Sequence, residues 1–331
     1  MAQVIHLDRT RRAPGPDRCH ASTARGRPCR NRARSNGFCS VHQPPRRPER
    51  IGPFRAERVQ ELLELGRRRL TGDYRVDEFG FDPELTEKVL FPLAEPVYRH
   101  YWRVDWLEMS NVPSTGPAVV VGNHSGTVPV DALVVKFGLL GEHPAHRHLR
   151  LLAADLALRM PFLAPLTRKM GNTLACDEDA LRLLGAGELV GVFPEGYKGV
   201  GKGYRNRYKL QRFGRGGFVE IALRAGVPIV PVAIVGAEEI YPMIGNAKTL
   251  ARIAGFPYFP ITPFFPWLGP LGLIPLPSKW IVEFAEPIPT DGYGPNAWQD
   301  AMLVFDLADH IRDVIQQMLY RNLTKRSSAF A

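Results

Sequence analysis

A valine-rich run that stops abruptly at a histidine constrains this chain more than any other stretch. Residues 118–135 read Ala-Val-Val-Val-Gly-Asn-His-Ser-Gly-Thr-Val-Pro-Val-Asp-Ala-Leu-Val-Val. An uninterrupted apolar run of this kind is typical of a strand buried on both faces. Pro129 then precedes a second apolar run of helical character, and proline is favoured in a first helical turn. The stretch therefore predicts a strand, a loop and a helix.

The predicted turn presents two chemical groups together. His124 directly follows the strand, and Asp131 falls in the opening turn of the helix, where a carboxylate suits the helix dipole. Open α/β sheets bind ligands at such strand-to-helix turns. An imidazole oriented by a carboxylate is the usual general base near neutral pH, so His124 is the candidate base and Asp131 its orienting group. The alternative is a structural histidine that caps the turn.

Residues 190–202 repeat the arrangement as Val-Gly-Val-Phe-Pro-Glu-Gly-Tyr-Lys-Gly-Val-Gly-Lys. A short strand ends at Phe193-Pro194, and a glycine-rich basic loop follows. Gly196 permits close approach of the backbone to a ligand. Glu195 is expected either to accept a hydrogen bond from an acceptor hydroxyl or to steady the loop. A further helix and a strand over residues 228–235 follow.

These stretches resemble the lysophospholipid and glycerolipid acyltransferases of the PlsC type. The resemblance rests on three motifs in the family order: Asn123-His124 followed by Asp131, then Phe193-Pro194-Glu195-Gly196, then Val227-Pro-Ile-Val-Pro-Val232. It implies one α/β domain over residues 51–331, with N-terminal helices and a mixed, largely parallel sheet flanked by helices. It also implies transfer of a fatty acyl group from acyl-CoA or acyl carrier protein to a lysophospholipid such as lysophosphatidic acid. Direct transfer of this kind implies no catalytic cofactor, and acyl-CoA is a co-substrate.

The chain departs from the family pattern in three places. His124 and Asp131 are separated by six residues, where the commonest family spacing is four, and we expect the wider loop to return the Asp to the His. The segment Gly171–Asp177 ends in Asp where the family has an Arg that helps hold an acceptor phosphate. Lys198 stands where the family has Arg, which keeps the charge and loses the bidentate fork. A neutral acceptor, mono- or diacylglycerol, is therefore the close alternative.

The loop that follows Gly196 is strongly cationic, and no acid occurs between Gly196 and Val219. Such a patch suits the phosphates of coenzyme A or of a lipid head group. The alternative is a solvated basic loop. The candidate substrate-binding residues are Glu195, Gly196, Lys198, Lys202 and Arg205, and the remaining cations are Arg207, Lys209, Arg212 and Arg215.

Most of the net charge of +10 lies in residues 1–50, which hold twelve Arg, no Lys and three acids. This basic arm suits anionic partners, either nucleic acid or an acidic membrane surface. It also contains Cys19, Cys29, Cys39 and His42, a Cys-x9-Cys-x9-Cys-x2-His spacing that favours a tetrahedral structural zinc site. The spacing resembles small zinc modules of the WRC type, which are associated with nucleic acid. Incidental thiols in a disordered arm are the alternative, and a nucleic-acid-binding protein with a degenerate lipid-binding body is the rival function.

The chain has no apolar run of about 18 residues, which a membrane-spanning helix requires. We expect a cytoplasmic protein that associates peripherally with the inner face of the membrane. Residues 253–277 are apolar, aromatic and interrupted by seven prolines. They are expected to dip into the membrane interface or to cover the acyl pocket.

Helical spacing predicts helices over residues 54–70 and 297–320, and a helix that starts at Asp82 and runs, with a break or kink near Pro96, towards Tyr101. Strands are predicted over residues 102–106 and 280–284. Arg147 and Arg150 are expected to be ordinary surface charges, and Arg67–Arg69 a solvated helix end.

Overall fold

The computed structural model describes residues 56–161 and 163–330. The basic arm with Cys19, Cys29, Cys39 and His42 lies outside these residues, so the zinc and nucleic-acid expectations stay predictions. The chain divides into two compact units, Met1–Leu63 and Glu64–Ala331. The architecture below is that of the second unit, apart from residues 56–63 at the start of the first helix, which belong to the first unit.

A mixed sheet forms the centre of this unit, and within the described residues it contains seven strands. The strands of this sheet are β1 Asp105–Leu107, β2 Ala118–Gly122, β3 Leu149–Ala153, β4 Thr173–Leu174, β5 Leu189–Val192, β6 Ile229–Val235 and β9 Ile281–Phe284. Two further strands, β7 Gly245–Asn246 and β8 Pro260–Ile261, pair with each other in a separate ribbon. The spatial order in the seven-stranded sheet is β1-β9-β6-β2-β5-β3-β4. The five strands from β6 to β4 in this order run parallel, whereas β9 pairs antiparallel with β6 and parallel with β1. The predicted largely parallel sheet is therefore confirmed.

Helices connect these strands, as parallel strands require. The α-helices are α1 Ala56–Thr71, α2 Pro83–Leu85, α3 Phe91–Pro96, α4 Val130–Glu142, α5 Asp155–Arg159, α6 Leu163–Lys169, α7 Asp177–Gly185, α8 Gly196–Val200, α9 Gly217–Ala225, α10 Lys248–Ala254 and α11 Ala301–Lys325. Short 3-10 turns cover Met109–Asn111, Tyr204–Asn206, Ala237–Glu239, Gly269–Leu273 and Ala297–Gln299. Among the described residues, no helix combines the length and apolarity needed to cross a bilayer.

The valine run is buried because helices cover both faces of the sheet. Val119 and Val121 pack into one core cluster with residues of α7, α9 and α11. Val120, on the opposite face, packs into a second cluster with Val135 of α4 and Tyr98. Strand side chains alternate between the two faces of the sheet. Because helices cover both faces, every side chain of β2 is buried and the strand is apolar throughout.

The helix predicted from Asp82 begins there, because the Asp82 carboxylate accepts a hydrogen bond from the Leu85 amide at 2.9 Å. The predicted helix continues past Pro96 towards Tyr101. Two π-helical segments, Thr86–Leu90 and Val97–Tyr101, flank α3 and continue the helical path to Tyr101. The next strand starts at Asp105 rather than at Trp102, because Trp102 closes the π-helical turn and Arg103 has a φ of 47°.

Arg150 is buried, so the prediction of an ordinary surface charge is wrong for this residue. Its guanidinium group donates to Asp77 Oδ2 at 2.6 Å and to the Gly171 carbonyl at 2.7 Å, and lies 4.6 Å from the centre of the Phe81 ring. Arg69, expected at a solvated helix end, donates to the buried Asp82 carboxylate at 2.6 Å. Both arginines therefore tie the segment before α2 to the rest of the unit.

Gly138 in the middle of α4 faces the Trp106 side chain, and a Cβ added there would lie 1.9 Å from Trp106 Cη2. Gly138→Ala is expected to lower the free energy of unfolding by about 1–3 kcal/mol, since the indole must move out of a packed core. The matched control is Gly185→Ala in α7, where a Cβ meets nothing within 4 Å. The control should be neutral or stabilising by up to about 1 kcal/mol. Urea unfolding of both variants checks this, and equal stabilities would contradict it.

Candidate functional site

Three neighbouring parallel strands deliver the candidate site residues to one edge of the sheet. β2 lies between β5 and β6, with Val121 opposite Val192 and Gly122 opposite Val232. The carboxyl ends of parallel strands meet at the same edge, which is where open α/β sheets bind ligands. The loops that meet there are residues 123–129 after β2, residues 193–196 after β5 and residues 236–239 after β6.

The structure brings His124 and Asp131 together as the sequence predicted. His124 Nδ1 lies 2.9 Å from Asp131 Oδ2, and the carboxylate also accepts hydrogen bonds from the amides of Ser125 at 2.8 Å and Ala132 at 2.9 Å. Asp131 is fully buried, whereas the His124 side chain is 13% exposed. An ionised carboxylate can only accept, so in the neutral imidazole Nδ1 carries the hydrogen and Nε2 has the free lone pair. The arrangement orients one basic nitrogen away from Asp131.

The six residues between His124 and Asp131 still bring the two side chains together because the backbone turns sharply inside the loop. Gly126 has a φ of 93° and Thr127 a φ of 65°. The Val128 amide donates to the Gly126 carbonyl at 2.6 Å, and the Val130 amide donates to the Val128 carbonyl at 2.7 Å. A Cβ at Gly126 would lie 2.7 Å from the Ala237 carbonyl oxygen, so only glycine fits this turn.

Asn123 joins the end of β2 to β6. Its Nδ2 donates to the Ile234 carbonyl at 3.0 Å, and its Oδ1 accepts from the Ile234 amide at 2.8 Å. The side chain is buried, and both of its polar groups are satisfied. Asn123 therefore fixes the point at which the chain leaves the sheet, one residue before His124.

Glu195 is buried and steadies the loops, which is one of the two roles expected from the sequence. Its Oε1 accepts from the His124 amide at 3.0 Å, and its Oε2 accepts from the Gln211 amide at 2.7 Å. Gly196, at the start of α8, has a φ of 52°. Further along α8, a Cβ at Gly199 would lie 2.5 Å from the His124 carbonyl oxygen. The loop after β5 thus supports the backbone of His124 directly.

Lys202 lies inside the protein, in contrast to the exposed position expected of a residue that binds substrate. Its side chain is 3% exposed, and its Nζ lies 3.2 Å from Glu238 Oε1 and 3.6 Å from Glu195 Oε2. Its charge is therefore paired within the fold. The other six cations of the loop are exposed, including Lys198 and Arg205.

A buried polar network extends from Lys202 through the loop after β6. Glu238 Oε1 accepts from the Tyr208 amide at 2.8 Å, the Tyr208 hydroxyl hydrogen-bonds to Glu239, and Arg326 donates to Glu239 at 2.7 Å. Burial raises the pKa of Glu238 to about 7, against the opposing attraction of the Lys202 ammonium. Sequence reasoning missed both glutamates, although two carboxylates directly after a predicted strand repeat the pattern of His124 and Glu195.

Asp177, which stands where the resemblance places an arginine, begins α7 and lies 3.6 Å from Arg224. Cys176 precedes it and is half-buried, and burial raises the pKa of its thiol, which disfavours the nucleophilic thiolate. Within the part of the chain that the structure describes, no cluster of three or more His, Cys, Asp or Glu side chains could hold a metal ion.

The chain is similar to a known family and to several known proteins. The profile of the Acyltransferase family matches residues 103–235, which include His124, Asp131 and Glu195. An uncharacterized protein of Mycobacterium tuberculosis is 53% identical over 275 residues, covering 83% of this chain and 77% of that protein. A Gallus gallus protein named as a DGAT1/2-independent enzyme synthesizing storage lipids is 27% identical over 186 residues, covering 56% of this chain and 51% of that protein. The crystal structure of the 1-acyl-sn-glycerophosphate (LPA) acyltransferase PlsC from Thermotoga maritima superposes with a TM-score of 0.50 at 19% identity, covering 82% of this chain and 90% of that one.

Glu195→Gln should destabilise the protein, because an amide group has one accepting oxygen where the carboxylate has two. One of the backbone amides of His124 and Gln211 is then left without an acceptor, at a cost of about 1–3 kcal/mol. Gln211→Ala is the matched control, since it keeps the backbone amide that Glu195 binds. Urea unfolding of both variants measures the effect, and a Glu195→Gln protein as stable as the control would contradict this role.

The raised pKa of Glu238 predicts a pH-dependent stability. Its ordinary pKa is 4.5 and the folded value is about 7, so the folded state binds more protons than the unfolded state between these values. Stability should therefore fall as the pH rises through this window, by up to about 3 kcal/mol from this group. Glu238→Gln should flatten the unfolding free energy between pH 5 and 7, whereas Glu286→Gln, at an exposed position, should follow the wild type. If the unfolding free energy of all three proteins changed with pH in the same way, the raised pKa of Glu238 would be contradicted.

Proposed function

The chain belongs to the acyltransferase family, and we propose that it transfers a fatty acyl group from an acyl thioester to the hydroxyl of a glycerolipid. The observation that carries the proposal is the pair of His124 and Asp131, 2.9 Å apart, with the carboxylate buried and the imidazole partly exposed. Burial of Asp131 keeps water away from the orienting hydrogen bond. The partly exposed imidazole supports proton removal from a substrate that approaches the sheet edge.

The reaction that fits this pair is direct acyl transfer. His124 Nε2 takes the proton of the acceptor hydroxyl while its oxygen attacks the thioester carbonyl carbon. Asp131 stabilises the imidazolium that forms and holds the ring in place. The tetrahedral intermediate then collapses, the carbon–sulfur bond breaks, and the imidazolium returns the proton to the thiolate that leaves. The products are an ester and a free thiol, and no covalent acyl-enzyme is needed.

The acyl donor in this proposal is acyl-CoA or acyl carrier protein. The exposed ammonium of Lys198 and guanidinium of Arg205 are suited to the phosphates of either carrier. Four further exposed cations in the same loop strengthen the positive field there, namely Arg207, Lys209, Arg212 and Arg215. The reaction then takes place at the inner face of the membrane, with the enzyme peripherally bound.

A neutral acceptor, mono- or diacylglycerol, is the better match to the site. Lys202 is paired with Glu195 and Glu238, and Asp177 stands where the family holds a phosphate with arginine. The Gallus gallus relative is named for the synthesis of storage lipids. Lysophosphatidic acid is the second candidate, because Lys198 and Arg205 remain exposed to meet a phosphate.

The rival reading, a nucleic-acid-binding protein with a degenerate body, is disfavoured by the completeness of the site. A decayed site need not keep His124, Asp131 and Glu195 in mutual contact, yet all three are linked by hydrogen bonds. The basic arm is then an accessory to the enzyme.

His124→Ala should lower acyl transfer by about a thousandfold, because the general base is lost. Asp131→Asn should lower it by about a hundredfold or more, since the amide no longer selects the right tautomer. Ser125→Ala is the matched control, because only the backbone amide of Ser125 bonds Asp131. Transfer from labelled acyl-CoA is measured in parallel with monoacylglycerol, diacylglycerol and lysophosphatidic acid.

Product from the neutral acceptors alone supports the first candidate, and product from lysophosphatidic acid alone replaces it with the second. A folded His124→Ala protein with wild-type activity would contradict the mechanism. No product with any acceptor from the folded wild type would overturn the proposed function.

A further inference from the structure

We propose that residues 244–274, here called the docking segment, bind the surface of a bilayer that contains anionic lipids. The segment runs between β6 and β9 and includes the β7–β8 ribbon, α10 and the 3-10 turn Gly269–Leu273. The inference deepens the proposed function and rests on it for the identity of the lipid substrate. Binding to vesicles, however, is measured without catalysis.

The docking segment exposes large apolar side chains along its length. Trp267 is 70% exposed, Leu271 is 66% exposed, and Ile253 on α10 is 80% exposed. Isolated exposed leucines are ordinary on protein surfaces, whereas exposed apolar residues concentrated in one segment mark an interaction site. Tryptophan in particular is at home at the membrane interface.

The backbone of the segment is held in place rather than free. The Thr262 hydroxyl accepts from the Phe265 amide at 2.8 Å, and a Cβ at Gly272 would lie 2.7 Å from the Phe264 carbonyl oxygen. The Tyr241 hydroxyl donates to the Leu273 carbonyl at 2.6 Å. The exposed side chains therefore stand on an ordered support, which reduces the entropy cost of docking.

The positive charge of the docking segment favours binding to a bilayer with anionic head groups. No Asp or Glu occurs between residues 240 and 282, whereas α10 exposes Lys248 and Arg252. Each cation near an anionic leaflet adds to binding, and apolar side chains between them enter the head-group region. Irregular backbone cannot cross the hydrocarbon, so the segment lies on the membrane surface.

The inner side of the docking segment contacts the catalytic loop. The Tyr258 hydroxyl hydrogen-bonds to the Thr127 carbonyl, in the loop between His124 and Asp131. A Cβ at Gly201, after α8, would lie 2.9 Å from the Tyr258 ring. The segment that meets the bilayer is thus the same one that contacts the loop with His124, so docking brings this loop to the lipid.

Flotation of the full-length protein with vesicles tests the proposal. The vesicles are phosphatidylcholine alone or phosphatidylcholine with phosphatidylglycerol. The double variant Trp267→Asp, Leu271→Asp should reduce binding to the anionic vesicles by about tenfold or more. Lys248→Gln with Arg252→Gln should reduce it by about tenfold and leave binding to phosphatidylcholine unchanged. Met302→Asp, which is also exposed but lies on α11, is the matched control and should bind as the wild type does.

Trp267 itself reports the site of contact, since it is the most exposed of the five tryptophans. Vesicles with brominated acyl chains should quench its fluorescence in the wild type. Trp267→Phe should keep vesicle binding and lose most of the quenching. Equal quenching in both proteins, or unchanged flotation of the double Asp variant, would overturn the proposal. A wild-type dimer that becomes monomeric in the double variant with undiminished flotation would assign the surface to a second copy instead.

Failure here and failure of the proposed function are distinguishable. His124→Ala should float with vesicles as the wild type does, because it leaves the docking segment intact. The double Asp variant should keep transfer to an acceptor dispersed in detergent and lose it on vesicles. If the wild type floats normally but transfers no acyl group, the docking proposal stands and the proposed function falls.

Discussion

The buried carboxylate of Asp131 is the contact on which the site depends. It accepts hydrogen bonds from His124 Nδ1 and from the amides of Ser125 and Ala132. One side chain thereby fixes the imidazole ring, the loop that follows it and the first turn of α4. The carboxylate is placed at a helix N-terminus, where the helix dipole favours its charge. Because β2 is anchored at the centre of the sheet, this arrangement has a rigid base.

Buried charges in the supporting loops serve position more than stability. Glu195, Lys202 and Glu238 form a chain of charged groups that are nearly shielded from water. The desolvation of such groups offsets much of their mutual attraction, so an apolar replacement could be as stable. An apolar replacement of Glu195 could not accept the hydrogen bonds from the backbone amides of His124 and Gln211. The charges therefore hold three loops in register at the edge of the sheet.

Local patterns sufficed to predict the elements that depend on neighbouring residues. The valine run predicted the strand β2, Pro129 predicted the start of α4, and the Asp82-Pro83 pair predicted the start of α2. These signals are local, because the periodicity of buried residues and helix capping both act over a few residues. The contact between His124 and Asp131 followed from the same turn. Glu195 could be placed at the same sheet edge since parallel strands align their carboxyl ends.

Features set by distant partners could not be predicted in this way. Arg150 is buried because Asp77, far away in sequence, and the Phe81 ring receive its guanidinium group. Lys202 looks like its exposed cationic neighbours, and only its contact with Glu238 places it inside. For both residues the local sequence permits either an exposed or a buried side chain, and contacts with residues distant in sequence decide between the two.

The tautomer of His124 tests the central claim most directly. Nitrogen-15 NMR of the full-length protein with labelled histidine, assigned by comparison with His124→Gln, reports which ring nitrogen carries the proton at neutral pH. The account predicts a protonated Nδ1 and an unprotonated Nε2 in the resting enzyme, with Nδ1 losing this preference in Asp131→Ala. A neutral ring protonated at Nε2, or a ring whose tautomer ignores Asp131, would contradict the account, because the nitrogen that must take the acceptor proton would then already hold one.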